Sequence, residues 1–235
     1  MFGPGEIKQR NKGFTLVEMM VALFLGIIAM VGIYKTYVAY STAADNQGQA
    51  QELQQNLRVS MAMMVRDIRM AGFDPTEIGG IGFEEATTHK IQFRMDINQD
   101  GDVADDNEDI KYFIKDIDGD GFFGLARHNV NTGVEEYINE NIDPVNIIAG
   151  EYPLNFVFME GITVLPTPVT GSDRDRIRSV EIALVLRSTN EDYSFKNTNS
   201  YNNLQGLQIL PAKNDNFYRR LTTAKVNCRN MGLDD

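Results

Sequence analysis

The chain has one cysteine, Cys228, and two histidines, His89 and His128, among 235 residues. A single cysteine excludes an internal disulfide, so we expect Cys228 to be a small buried apolar side chain. Neither histidine has the spacing of a metal ligand. The sequence also lacks G-x-S-x-G, H-E-x-x-H and phosphate-binding glycine motifs. We therefore predict a protein that is not an enzyme.

Basic residues are outnumbered, since 22 Lys and Arg stand against 33 Asp and Glu and give a net charge of −11. A nucleic-acid binder needs a basic surface to neutralise phosphates, so no direct contact with nucleic acid is predicted. The first 13 residues differ from the rest, because Lys8, Arg10 and Lys12 outnumber Glu6 there. The acidic character thus belongs to the chain that follows this segment.

A long apolar run, FTLVEMMVALFLGIIAMVGI, covers residues 14–33, and its only charged residue is Glu18. At 1.5 Å per residue the run spans about 30 Å, the thickness of a bilayer core. The basic residues before it favour a cytoplasmic N-terminus. A secretory signal peptide would have a shorter apolar core and a small-residue cleavage site after it. An ordinary signal anchor would not explain Glu18, which costs a few kcal/mol inside a membrane.

The segment Lys12-Gly13-Phe14-Thr15-Leu16-Val17-Glu18 resembles the type IV prepilin signature. The resemblance implies that a prepilin peptidase cuts between Gly13 and Phe14 and methylates the new amine of Phe14. Glu18 then corresponds to the residue that sets subunit registration, with its carboxylate meeting the N-terminal amine of a neighbouring subunit. The implied fold is α+β and pilin-like: a long N-terminal helix, transmembrane in its first half, packed on an antiparallel β-sheet head.

The helical pattern continues beyond the apolar run, with one apolar stripe formed by Leu53, Leu57, Met61, Met64 and Ile68. Gly72 and Pro75 end the helix, which we expect to run from Phe14 to about Ala71. The predicted organisation is a leader (1–13), a transmembrane segment (14–34), an extramembrane helix half (35–72) and a β-rich globular head (73–235).

Runs of β-branched and aromatic residues predict strands in the head. They are Lys90–Met95, Asp109–Ile114, Gly121–His128, Leu154–Met159, Ile177–Arg187 and Phe217–Arg229. Residues 160–176 and 188–216 are expected to be surface loops. Two segments, Ile177–Leu184 and Phe217–Leu233, resemble the late strand and the C-terminal ending of PilW-type minor pilins. The J-type pseudopilins of type II secretion share the same architecture.

The segment from Asp96 to Asp102 begins like an EF-hand calcium loop, with oxygen side chains at alternate positions and glycine sixth. The twelfth position is Asn107, and its flanks are strand-like, so the pattern predicts a calcium-loop-like hairpin. The predicted ligands are Asp96, Asn98, Asp100, Asp102, Asp106 and Glu108. A second run, Asp116–Gly121, repeats the start and then turns apolar, so it is a weaker candidate that would lend ligands to the first loop. The alternative is a solvated turn, because Asp-Gly pairs also form ordinary turns.

Three functions remain open. The first is a minor pilin that takes part in type IV pilus assembly in a priming or tip complex. The second is a J-type minor pseudopilin of type II secretion, and the third is a calcium-dependent adhesin head on a pilus. The expected partners are prepilin peptidase, other minor and major pilins and the inner-membrane assembly platform. The protein is expected to cross the inner membrane once with its head in the periplasm, and later to stand in a pilus or pseudopilus on the cell surface.

Overall fold

The computed structural model describes residues 13–116, 119 and 121–232. The chain divides into two compact units, Met1–Gln47 and Gly48–Asp235. One helix, α1 (Leu16–Met70), begins in the first unit and ends in the second. The helix predicted from Phe14 to about Ala71 is therefore confirmed, with nearly the same ends. We call Leu16–Gln47 its first half and Gly48–Met70 its second half.

The first half of α1 carries its apolar side chains exposed. Phe24 is 64% exposed and Ile27 is 62% exposed. An 18-residue window of the helix has a mean hydropathy of 2.5, long and apolar enough to cross a membrane. Exposed apolar surface on this scale needs an apolar surrounding, whether lipid or protein.

The second half of α1 buries the predicted stripe in the core of the second unit. All five stripe residues are buried, and Met64 and Ile68 are fully enclosed. Arg58 and Arg69, which the periodicity places on the opposite side, are exposed. Full burial of one such apolar side chain is worth about 1.5–3 kcal/mol, so the stripe holds this half of the helix to the sheets.

Five antiparallel strands form a meander, in which each strand pairs with the next along the chain. They are β1 (Phe83–Ala86), β2 (Ile91–Arg94), β3 (Asp109–Asp116), β4 (Phe123–Asn129) and β5 (Val134–Ile142). The alternating residues Ile91 and Phe93 of β2, and Ile110 and Tyr112 of β3, join the same core as the helix stripe. One face of this sheet therefore packs towards the second half of α1.

A second sheet contains β6 (Leu154–Glu160), β7 (Thr163–Val164), β8 (Ser179–Arg187) and β11 (Arg219–Asn227), in the order β11-β8-β6-β7. Two short strands, β9 (Tyr201–Asn202) and β10 (Gln208–Leu210), pair with each other. The central strand β8 is covered on both faces. Val180, Ile182 and Leu184 enter the main core, whereas Ala183 and Val185 pack in a second cluster with the β9–β10 segment.

Two clusters of buried charged side chains connect the elements. The Asp67 carboxylate of α1 accepts hydrogen bonds from the Tyr112 hydroxyl at 2.7 Å and from Arg127 Nε at 2.9 Å. Burial, together with the Asp67 carboxylate, raises the pKa of the Tyr112 phenol. In the second cluster Arg219 donates to Asp143 at 2.7 and 2.9 Å, which ties the end of β5 to the start of β11.

Several sequence predictions need correction. The strand β1 was not predicted, and the predicted surface loop 160–176 contains β7 and buries Leu165 and Val169. The strand β5 was not predicted, because its sequence VEEYINENI is rich in acidic and amide side chains and buries only Asn139 and Ile142. The predicted surface loop 188–216 contains β9 and β10, and Ile209 and Leu210 are fully buried. In β5 and in residues 188–216 the polar sequence does not show a strand pattern, because pairing with neighbouring strands determines where the strands form.

The C-terminal segment closes over the end of α1. Asn230 Nδ2 donates to the backbone carbonyl of Arg69 at 3.3 Å. Met231 is buried and lies so close to Gly72 that a Cβ there would come within 2.5 Å of its sulfur. Gly72 also has a φ of +75°, so glycine is required both by the turn and by this contact.

Candidate functional site: the N-terminal motif and the acidic loop

The predicted processing site lies immediately before α1. Gly13 and Phe14 are exposed and not helical, and Phe14 is 86% exposed. The peptide bond between them therefore belongs to an open segment next to the helix start. The basic residues of the predicted leader lie outside the described residues.

Thr15 and Glu18 form a reciprocal cap on the first turn of α1. Both the backbone N–H and the hydroxyl of Thr15 donate to Glu18 Oε2 at 2.8 Å, and the Glu18 N–H donates to Thr15 Oγ1 at 3.2 Å. This is the capping box expected of the sequence Thr-x-x-Glu. Within the described part of the chain, Glu18 Oε1 accepts no hydrogen bond, so one oxygen stays open to a partner.

The base of the acidic loop between β2 and β3 holds two buried carboxylates. Asp96 Oδ1 accepts the Gln99 N–H at 2.6 Å, and its Oδ2 accepts the Gly101 N–H at 3.2 Å. Glu108 Oε1 accepts the Ile97 N–H at 3.0 Å, and its Oε2 accepts the Asp105 N–H at 3.1 Å. These two side chains therefore fix the loop backbone through hydrogen bonds to main-chain donors.

The tip of the loop presents three exposed carboxylates, Asp100, Asp102 and Asp105. Each offers an oxygen, and these oxygens lie within 4.8 Å of one another. The Asn98 amide donates to Asp100 at 2.9 Å and to Asp105 at 2.7 Å, so it bridges two of them. The backbone N–H of Asp102 holds the pKa of Asp100 below its ordinary value. Three clustered oxygens of this kind suit a hard cation such as calcium.

The remaining acidic residues lie elsewhere. Asp106 accepts a hydrogen bond from the Asn129 side chain of β4. Asp116 ends β3, and its carboxylate accepts the N–H groups of Gly119 and Gly121. Asp109, at the loop end, and Asp116 are the first and last residues of the eight-residue strand β3, about 23 Å apart at strand spacing. The other carboxylates of the second run, Asp118 and Asp120, lie outside the described residues, so the hypothesis that this run lends ligands to the first loop stays a prediction.

The structure thus brings together only part of the predicted ligand set. Asp100 and Asp102 meet at the tip with Asp105, whereas Asp96, Asp106 and Glu108 bind other groups and Asn98 donates to the cluster. Sequence reasoning missed Asp105 as a candidate, and also Thr15 as the partner of Glu18. The Thr-x-x-Glu spacing predicts the contact of Thr15 with Glu18, whereas no spacing distinguishes Asp105 from the acidic residues around it. Calcium binding stays a prediction.

Comparisons with known proteins fall on the same regions. A family model for the prokaryotic N-terminal methylation motif matches residues 8–34, and one described as prepilin peptidase-dependent protein B matches residues 46–129. No curated protein matches the chain significantly. A solved type IV-like pilin from Thermus thermophilus is similar over 77% of this chain and 98% of its own, with 13% identity and a TM-score of 0.48.

The first family match contains the Gly13–Glu18 motif and the apolar part of α1 up to residue 34. The second match contains the buried second half of α1 and the strands β1 to β4. The apolar helix and the motif together fit a membrane-anchored pilin. These two matches, which cover neighbouring parts of the chain, together support a type IV pilin-like protein.

Proposed function

We propose that this protein is a minor pilin that takes part in type IV pilus assembly, in a priming or tip complex, and that its role is structural and not enzymatic. The observation that carries the proposal is the methylation motif, which leads directly into the exposed apolar half of α1. The match to prepilin peptidase-dependent protein B supports it, since that family is named for dependence on the same peptidase.

In the proposed processing step, prepilin peptidase cleaves between Gly13 and Phe14 and methylates Phe14. The exposed, non-helical segment before α1 suits an extended substrate in a protease site. Cleavage leaves the capping box intact, because both Thr15 and Glu18 follow the scissile bond. The mature chain would therefore begin with an already capped helix.

Glu18 is proposed to register subunits in the filament through its free oxygen. Oε2 is occupied by the two Thr15 donors, which lowers the cost of a carboxylate in apolar surroundings. Oε1 remains to accept a hydrogen bond from the charged N-terminal amine of a neighbouring subunit. Such a pair is tolerated in low dielectric, whereas an isolated charge is not.

The registration role is tested by comparing Glu18→Gln with Glu18→Ala. Glutamine preserves the capping box but removes the charge, whereas alanine removes both. We expect both variants to insert into the membrane and both to be depleted from sheared pili. Incorporation of Glu18→Gln at the wild-type level would contradict the registration role and leave helix capping as the function of Glu18.

The expected location is the inner membrane, with the second unit in the periplasm before assembly and in a pilus afterwards. Intact mass spectrometry of protein from cells with an active prepilin peptidase should show a chain that begins at methylated Phe14. A chain that still begins at Met1 would overturn the proposal. Co-purification should recover other minor and major pilins. Recovery of type II secretion pseudopilins in their place would assign the chain to the J-type pseudopilins.

A further inference from the structure

The strand β11 forms one edge of the four-stranded sheet and pairs only with β8. Its nine residues pair with β8 without any register shift. The Ser188 N–H donates to the Tyr218 carbonyl, and the Cys228 N–H donates to the Arg178 carbonyl. In an antiparallel ladder these bonds mean that the N–H and C=O groups of the even-numbered residues of β11 point towards β8. The N–H and C=O groups of the odd-numbered residues point away from it.

The N–H and C=O groups of four β11 residues therefore point outwards. Among the described residues no donor or acceptor meets these main-chain groups. They follow one another at every second position along the strand, which is the spacing an added strand would need. The residues are Leu221, Thr223, Lys225 and Asn227.

The other sheet edges are shorter or irregular. β7 has two residues, and β1 has four, with a register shift in its pairing. β5 is long but shows register shifts against β4, and its Asn139 side chain is bonded to Ser60 of α1. Proteins usually blunt their edges in such ways to prevent unwanted pairing. β11 is regular and has no proline, so its edge is open to pairing.

A groove of about 450 Å³ runs between this edge strand and the second half of α1. Its floor is apolar, with Leu57, Met61 and Val65 contributed by the helix. The even-numbered side chains of β11 face this side of the sheet, since Ala224 and Val226 pack with the main core. An added strand would therefore place every second side chain in the groove.

Two arginines, Arg58 of α1 and Arg220 of β11, line this groove and are exposed. Within the part of the chain that the structure describes, neither has an acidic partner. Other arginines of the same unit do have one, such as Arg127 with Asp67 and Arg176 with Glu160. Two unpaired cations in one groove favour an acidic ligand at that place, although the chain as a whole has a net charge of −11.

We propose that the β11 edge and its groove bind an extended acidic segment of a partner protein by strand addition. The added strand bonds to the outward main-chain groups of β11. An acidic side chain on its groove face pairs with Arg58 and Arg220, and a neighbouring apolar side chain packs on Val65. This docking surface goes beyond the proposed pilin role, and its test does not depend on that role.

The probe is a labelled synthetic peptide, acetyl-Thr-Val-Thr-Glu-Thr-Val-Thr-amide, added to the full-length protein in nanodiscs of neutral lipid. Binding is followed by fluorescence anisotropy, and a peptide with lysine in place of glutamate is the control. We expect saturable binding of the acidic peptide and binding of the lysine peptide at least about ten-fold weaker. Amide exchange at Thr223 should slow on binding, while exchange at Thr222, already bonded to β8, should not change.

Three variants separate the edge from simple charge attraction. Thr223→Pro removes an outward N–H without breaking a bond to β8, a position where an edge strand tolerates proline. We expect it to weaken peptide binding at least about ten-fold, as loss of edge pairing requires. Arg220→Glu should reverse the preference in favour of the lysine peptide. Lys196→Glu changes the net charge equally, outside the groove, and should bind like the wild type.

Each alternative outcome overturns the proposal. Equal binding of both peptides, or undiminished binding by a folded Thr223→Pro variant, would exclude strand addition at this edge. No binding of the acidic peptide would exclude the acidic ligand. Concentration-dependent dimers that Arg220→Glu abolishes would identify a second copy of the chain as the occupant. If Thr223→Pro fails to fold, the Arg220→Glu reversal and the exchange at Thr223 still decide the question.

Discussion

The two halves of α1 belong to one continuous helix but obtain their stability from different sources. In the first half large apolar side chains such as Phe24 and Met30 are mostly exposed, whereas in the second half Met64 and Ile68 are fully buried. The second half thus has its apolar partners within the chain. The first half must find them outside it, in lipid or in other subunits. Helix formation alone therefore does not reveal what a helix is for, whereas the exposure of its apolar side chains does.

The largest effect on this comparison is expected from Asp67→Ala. It leaves Arg127 buried without its carboxylate and Tyr112 without its acceptor, and breaking a buried ion pair costs about 3–5 kcal/mol. Chemical denaturation of the detergent-solubilised protein should show this loss of unfolding free energy. The matched control is Asp45→Ala, an exposed site in the first half, which should be neutral. Equal stability of the two variants would contradict a stabilising role for the buried cluster.

The same methionine-to-alanine change in each half of α1 tests whether apolar contacts within the chain stabilise only the second half. Met64→Ala creates a cavity in the core and should reduce the unfolding free energy by about 2–5 kcal/mol. Met30→Ala makes the same change at a side chain that is 74% exposed, and should leave that free energy unchanged. A comparable loss in both variants would mean that the first half also packs against the chain.

The calcium prediction tests whether a surface loop of the second unit contributes to the unfolding free energy, in addition to the buried core. Calcium at a hundred times its dissociation constant should stabilise the folded protein by about 2.7 kcal/mol. Thermal unfolding with calcium and then with chelator measures the difference. Asp100→Ala and Asp105→Ala should both abolish it, because both residues offer oxygens to the same cluster. Asp96→Asn should destabilise the loop with or without calcium. Identical melting curves in calcium and chelator would leave a solvated turn.

The smallest effect concerns Cys228, which is buried in the same core as the second half of α1. Burial raises the pKa of its thiol to about 12. Above about pH 9 the unfolded thiol ionises while the folded one retains its proton. The stability is therefore complete below that pH and falls as the pH rises towards 12, by about 1.4 kcal/mol per pH unit. Cys228→Ala should show a shallower decline between pH 9 and 10. Parallel profiles would indicate a solvated thiol.

The sequence predicted those parts of the fold in which side-chain pattern and burial coincide. The stripe from Leu53 to Ile68 has helical spacing and is buried, and the predicted strand Ile177–Arg187 corresponds to β8. β5 could not be predicted in this way, because it lies at a sheet edge with polar side chains on both faces. Its position depends on pairing with β4, which no local pattern encodes.

The candidate sites show the same limit. The Gly13–Glu18 motif can be read directly, because its residues are contiguous and its helix follows at once. The ligand set of the acidic loop cannot be predicted from the sequence in this way, because the direction of each carboxylate depends on backbone turns. Gln99 and Asn107 have positive φ values of 66°, and Gly101 has one of 89°. These turns direct the Asp96 carboxylate towards main-chain donors and leave Asp100 exposed at the tip.

The contact of Met231 with Gly72 has a consequence for the order of folding. Asn230 and Arg69 are bonded across 161 positions of sequence, and β11, near the C-terminus, completes the sheet on β8. Contacts of such long sequence separation form slowly, because a large loop must close before they can contribute. The second unit cannot complete its core until Met231 has been made, so a chain that stops before Asn230 would leave a late folding step without its final contact.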